Sequence, residues 1–93
     1  MYERILTSMR EKIRNLHYVM TIHADEEMND DGLTVFDIER GILTGKVIER
    51  QKDHNTDEWK YLIQGRTLAD NTVVIVTKLS PTNKLVIITV YLE

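Results

Sequence analysis

Apolar residues recur at helical intervals in the first half of the chain and at strand intervals in the second. Ile5, Leu6, Met9, Ile13 and Leu16 fall on one helical stripe, which predicts an amphipathic helix over Tyr2–Asn15. His17–Ile22 is rich in β-branched and aromatic residues and reads as a short strand. His23–Met28 carries helix formers and stops ahead of Asp31-Gly32, where glycine takes the positive φ of a helix end; a two-turn helix follows. Thr34 then offers a side-chain oxygen to cap a third helix, with Asp37 at the capping-box position. Val35, Ile38 and Ile42 form its buried stripe, flanked by Phe36 and Leu43. Gly41 costs it some stability, and Gly45 supplies its stop.

From Lys46 the pattern becomes extended. Val47–Gln51, Lys60–Arg66, Thr72–Leu79 and Leu85–Leu92 are separated by polar turns, and four strands with short connections predict an antiparallel meander. Val73-Val74-Ile75-Val76 and Leu85-Val86-Ile87-Ile88 are continuously apolar, which implies cover on both faces, at the sheet centre or in an oligomer interface. Ser80-Pro81-Thr82-Asn83 suits the turn between them, because proline fixes φ at the second position and Ser80 can bond the backbone. The expected fold class is α+β: N-terminal helices packed on a C-terminal antiparallel sheet of four strands, or five if His17–Ile22 joins it.

Length and composition narrow this further. With 93 residues a second core would leave each half too small to bury enough apolar surface, so residues 1–93 read as a single domain. Apolar residues make up 42% of the chain and charged ones 29%, too apolar a balance for disorder. There is no cysteine, which removes a disulfide framework, a thiolate zinc site and a cysteine nucleophile together. Met1–Lys12 mixes charged and apolar residues unlike a signal peptide, and no segment approaches the roughly 20 apolar residues of a membrane span, so a cytoplasmic location with no membrane partner is expected. The net charge of −3 repels polyanions weakly, and nucleic-acid binding would need a local patch.

The sequence contains no GxxxxGK[ST], GxGxxG after a strand, GxSxG or HExxH, which removes most support for nucleotide-dependent and standard hydrolase chemistry. His23 and Glu27 are four apart and share a helix face, where they could exchange a proton; two ligands fall short of the three a catalytic zinc takes from its protein, so neither metal nor cofactor is expected. His17 and His54 fit a structural junction and an exposed loop. Lys46, Arg50, Lys60, Arg66 and Lys78 fall on the strands or their ends. Arg50, Lys60 and Arg66 on one sheet face could bind phosphate, although strand lysines and arginines also guard edges against aggregation. Trp59, Tyr61 and Tyr91 could stack on bases or fill the core.

His23-Ala24-x-x-Glu27-Met28, Asp31-Gly32-Leu33-Thr34-x-x-Asp37-Ile38, Gly45-Lys46-Val47-Ile48-Glu49, Tyr61-Leu62-Ile63-Gln64-Gly65 and Ile88-Thr89-Val90-Tyr91 occur in an order that resembles the domain of unknown function 4258 family. The resemblance runs from about Thr21 to Leu92 and leaves the helix at 2–15 outside. That family resembles small toxin-like proteins of the RelE/barnase-like ribonuclease group. The resemblance implies metal-independent RNA cleavage with His23 as acid or base, Arg50, Lys60 and Arg66 as substrate contacts, Tyr91 as a stacking or proton-donating group, and RNA or an antitoxin-like protein as partner. The family's pattern commonly reads His-Ala-x-x-Arg-Met, and Glu27 stands here in place of the arginine, where a carboxylate could serve as the base instead. The alternative is a non-catalytic module that binds a partner protein or forms a homodimer through its apolar strands.

Overall fold

The computed structural model describes residues 2–93. Its elements follow in the order α1 (Glu3–Arg14), β1 (Tyr18–Met20), α2 (Ile22–Asp30), α3 (Val35–Thr44), β2 (Lys46–Asp53), β3 (Glu58–Arg66), β4 (Thr72–Leu79) and β5 (Leu85–Leu92). The sheet order is β1-β5-β4-β3-β2. The second half is the expected antiparallel meander, and the short N-terminal strand joins it as a fifth, parallel to β5, so the sheet is mixed.

Each helix ends where its local chemistry dictates. α2 closes in a Schellman motif: Leu33 N–H donates to Met28 O, Gly32 N–H donates to Asn29 O, and Gly32 holds φ at +68°. α1 closes in the same way through Leu16, which takes φ +58° without glycine's freedom. Leu16 therefore leaves the buried stripe and stands 71% exposed, unlike Leu6, Met9 and Ile13. At the start of α3 the Asp37 carboxylate accepts from the Thr34 N–H at 2.9 Å and from the Leu68 N–H at 2.9 Å, so it caps the helix and fastens the β3–β4 loop. The Thr34 and Leu68 amides hold this carboxyl below the usual aspartate range against the opposing effect of burial. The β3–β4 and β4–β5 turns each close on an i to i+3 hydrogen bond and a residue with positive φ, Asp70 and Asn83.

All three helices share one sheet face. The core joins Leu6, Met9 and Ile13 of α1, Ala24 and Met28 of α2, and Ile38 and Ile42 of α3 to Ile63, Val73, Ile75, Leu85, Ile87 and Val90. The other face has no helix on it, which corrects the expectation of cover on both sides of the apolar runs. β4 is the central strand, and Val74 is 1% exposed on the open face because Gln64 and Tyr91 flank it across the ladders.

The packing of α3 on β3 is backbone against backbone. A Cβ added at Gly65 would stand 1.9 Å from the Gly41 carbonyl oxygen, and one at Gly41 would stand 2.7 Å from Ile75 Cδ1. Gly41 thus weakens the helix locally so that it can seat on the sheet. Gly65→Ala should cost about 3 kcal/mol or more, since neither α3 nor β3 can yield without breaking its own hydrogen bonds. Urea denaturation checks this, and a loss below about 1 kcal/mol would show the contact to be soft.

Candidate functional site

β1 pairs with β5 only over Leu85–Ile87, which leaves the rest of that strand edge unpaired by any strand. α2 covers it. Thr21, the N-cap of α2, accepts from the Ala24 N–H at 3.0 Å and donates its hydroxyl to the Ile88 carbonyl at 3.0 Å. Two residues on, the Val90 N–H donates to Glu27 Oε1 at 3.1 Å. The register between β4 and β5 slips beside this point, where Thr77 faces Ile87 and Val76 faces Thr89, so Ile88 is an extra residue. The bulge turns both Ile87 and Val90 into the core.

Glu27 Oε1 also lies 3.2 Å from His23 Nε2, one helical turn back on α2. The glutamate side chain is 27% exposed and that of His23 67%, so the carboxylate is the anchored member and the imidazole the accessible one. Nε2 is the ring nitrogen nearer Glu27, which leaves Nδ1 on the side away from the carboxylate. A carboxylate fixed by a backbone amide beside an accessible imidazole is a pair that can exchange a proton.

One residue beyond Val90, Tyr91 projects from β5 onto the open face, opposite the helices, and is 40% exposed. It stands in a cross-strand row with Val74, Gln64 and Lys46. Three inter-strand spacings separate the ends of that row, about 14 Å. At its far end is a cleft of about 320 Å³ lined by Thr44, Lys46, Gln64, Gly65, Arg66 and Thr72. His23, Glu27, Tyr91 and Arg66 thus share one end of the sheet.

The remaining substrate contacts expected from sequence lie elsewhere. Arg50 faces Tyr61 in the β2–β3 ladder and therefore points to the helix-bearing side, while Lys60 and Arg66 point to the open side. Arg50 lies 3.9 Å over the Trp59 ring, toward the β2–β3 hairpin tip and away from the cleft. Lys60 also belongs to that half of the sheet, opposite Gln51. Arg50 does not share the face of Lys60 and Arg66, because strand alternation puts an odd number of register steps between it and the others. Lys46 is the cation that joins Arg66 instead. Its place on a strand was legible; its neighbour was not, because the pairing of β2 with β3 includes a bulge between Val47 and Glu49. Among the described residues no three His, Asp or Glu side chains gather as metal ligands, and no helix is long and apolar enough to cross a membrane.

Removing the Glu27 side chain would leave the Val90 amide without its acceptor. Glu27→Ala should lower stability by about 1–2 kcal/mol, and Glu27→Gln, which keeps an acceptor oxygen, by clearly less. Chemical denaturation of the two variants checks this; equal losses would mean that the hydrogen bond to Val90 carries no weight.

Comparison with known proteins agrees with the motif order read along the chain. No curated protein and no solved structure matches it. A family model does, across residues 20–92, from the end of β1 through β5, and its description is a domain of unknown function, DUF4258. The match includes α2, the β5 edge and the cleft, and leaves out α1. The chain belongs to this family.

Proposed function

We propose that the chain is a toxin-like, metal-independent ribonuclease of the RelE/barnase-like kind, working in the cytoplasm on single-stranded RNA with slow turnover. The single observation that carries this reading is the His23–Glu27 pair, an exposed imidazole held 3.2 Å from a carboxylate that a strand amide anchors. His23 Nδ1 removes the proton of a ribose 2′-hydroxyl, O2′ bonds to the adjacent phosphorus, and the P–O5′ bond breaks as O5′ takes a proton from solvent. Glu27 orients the ring and stabilises the imidazolium that forms, the role an acidic partner plays towards a catalytic histidine elsewhere. Tyr91 offers a ring on which the neighbouring base stacks. Turnover is slow because Glu27 stands where arginine is common in the family, and Arg50, stacked on Trp59, is engaged away from the pentacoordinate phosphate.

Purified protein in excess chelator should cut single-stranded RNA to fragments with 2′,3′-cyclic phosphate ends, and His23→Ala prepared in parallel should be at least about 100-fold slower. Mass spectrometry of the fragments identifies the ends. Intact RNA with the wild-type protein, or equal cleavage by both proteins, rejects the proposal.

A second reading is favoured by the uncovered sheet face, where the half-buried Val76 and Val86 continue the apolar surface of Leu62 and Val74 with no helix over it. A second copy of the chain or an antitoxin-like protein could pack there without any catalysis. If the face makes a homodimer, light scattering at micromolar concentration should give twice the chain mass, and Val76→Lys should restore the monomer. A monomeric wild type removes the homodimer.

A further inference from the structure

The cleft at the cleavage-site end of the sheet has a charge arrangement that the rest of the sheet lacks. Most strand cations in the other half are engaged. Lys52 pairs with Asp57 at 2.9 Å, Lys78 pairs with Glu58 at 3.1 Å, and Arg50 stacks on Trp59 at 3.9 Å. Lys60, like Lys46, has no ion pair among the described residues, but it lies near Asp53, whose carboxyl is held below its usual range first by the Asn55 N–H and further by that lysine's charge. Among the described residues neither Lys46 nor Arg66 has a carboxylate partner, and the only side-chain bond of Arg66 runs to the Asp70 carbonyl at 3.3 Å. Guarding an edge does not account for Arg66, which belongs to β3, an interior strand.

Register brings the two together. Lys46 stands opposite Gln64, and Arg66 is the next residue on the same face, so the two are diagonal neighbours with Cα atoms roughly 7–8 Å apart. One tetrahedral anion between them can meet both side chains. Thr72, opposite Arg66, contributes a hydroxyl engaged in no side-chain bond. Among the described residues, the one acidic side chain bonded to a cleft residue is Glu93, which accepts the Gln64 amide. Carbonyls at the C-terminus of α3 would repel an anion, but Arg10 donates to the Gly45 carbonyl at 2.8 Å, and the Thr44 hydroxyl donates to the Arg40 carbonyl at 2.7 Å. The negative end of α3 is thereby partly neutralised.

We infer that the Lys46–Arg66 cleft is a phosphate-binding subsite that grips the backbone of single-stranded RNA several nucleotides away from the bond at His23, with Tyr91 between the two. The inference rests on the ribonuclease reading for the identity of the ligand, and not for the site. Because Lys46 lies about 14 Å from Tyr91, along a row of four strands, its contact takes part in binding and register and not in bond breakage.

The test uses the full-length His23→Ala protein, so that RNA stays intact, and follows binding of a fluorescein-labelled single-stranded oligoribonucleotide by anisotropy across a salt series. Lys46→Gln and Arg66→Gln should each weaken binding severalfold and lower the slope of log affinity against log salt by about 0.7, the value for one phosphate contact on a single strand. Lys84→Gln, which removes the same charge from the β4–β5 turn at the other end of the sheet, should leave both quantities unchanged. Circular dichroism melts confirm that each variant is folded. Binding by the cleft variants equal to that of the Lys84 variant, or no binding by the parent protein, overturns the inference. Binding that depends on the cleft in a protein whose His23-containing form cuts nothing would sustain the subsite and reject the catalytic proposal.

Discussion

The contact of the Gly41 carbonyl with the Cα of Gly65 sets the distance between α3 and the sheet, and much of the architecture follows from that distance. At so close an approach, Ile38 and Ile42 reach the core residues of β3 and β4. The chain leaving α3 at Gly45 then has to run directly into β2, with Lys46 already paired to Gln64. Gly45 lies in the same contact, since a Cβ there would stand 2.5 Å from the Gly41 carbonyl. The cleft beside Lys46 and Arg66 is the outer side of this junction, so the feature that seats the helix also brings two cations together.

A second constraint acts at the opposite edge. A strand edge with free amides and carbonyls invites another chain to pair with it. β1 is too short to cover β5, and the bulge at Ile88 disturbs the ladder beyond its reach. α2 meets this need with side chains: the Thr21 hydroxyl takes the Ile88 carbonyl and the Glu27 carboxylate takes the Val90 amide. Glu27 is therefore a structural part of this edge. Its anchoring to a strand amide also fixes the carboxylate 3.2 Å from His23 Nε2.

Much of the fold was legible along the chain. The periodicity located α1 and α3, Asp31-Gly32 marked the end of α2, and the apolar runs and Ser80-Pro81-Thr82-Asn83 set out β4, β5 and the turn between them. These signals are local, arising from hydrophobic spacing, capping and turn chemistry within a few residues. Leu16 was misplaced because its spacing fits the stripe of α1 although its backbone already belongs to the turn. The apolar runs suggested two covered faces because a central strand shielded by its neighbours reads like one covered by helices. His23 and Glu27 were legible as a pair because one helical turn separates them.

The grouping of the cations was not legible, because face and end depend on register. A single bulge in β2 and another in β5 decide which side chains share a row, and no local sequence signal gives their positions. The sequence by itself determined the element types, the α+β class, the family and the His23–Glu27 proximity, all of which rest on interactions between residues close in the chain. Only the tertiary structure decided that β1 joins the sheet in parallel, that Gly41 meets Gly65, that Glu27 holds the Val90 amide, and that Lys46 rather than Arg50 accompanies Arg66. Each of these joins residues distant in sequence, and their meeting depends on the packing of the whole core.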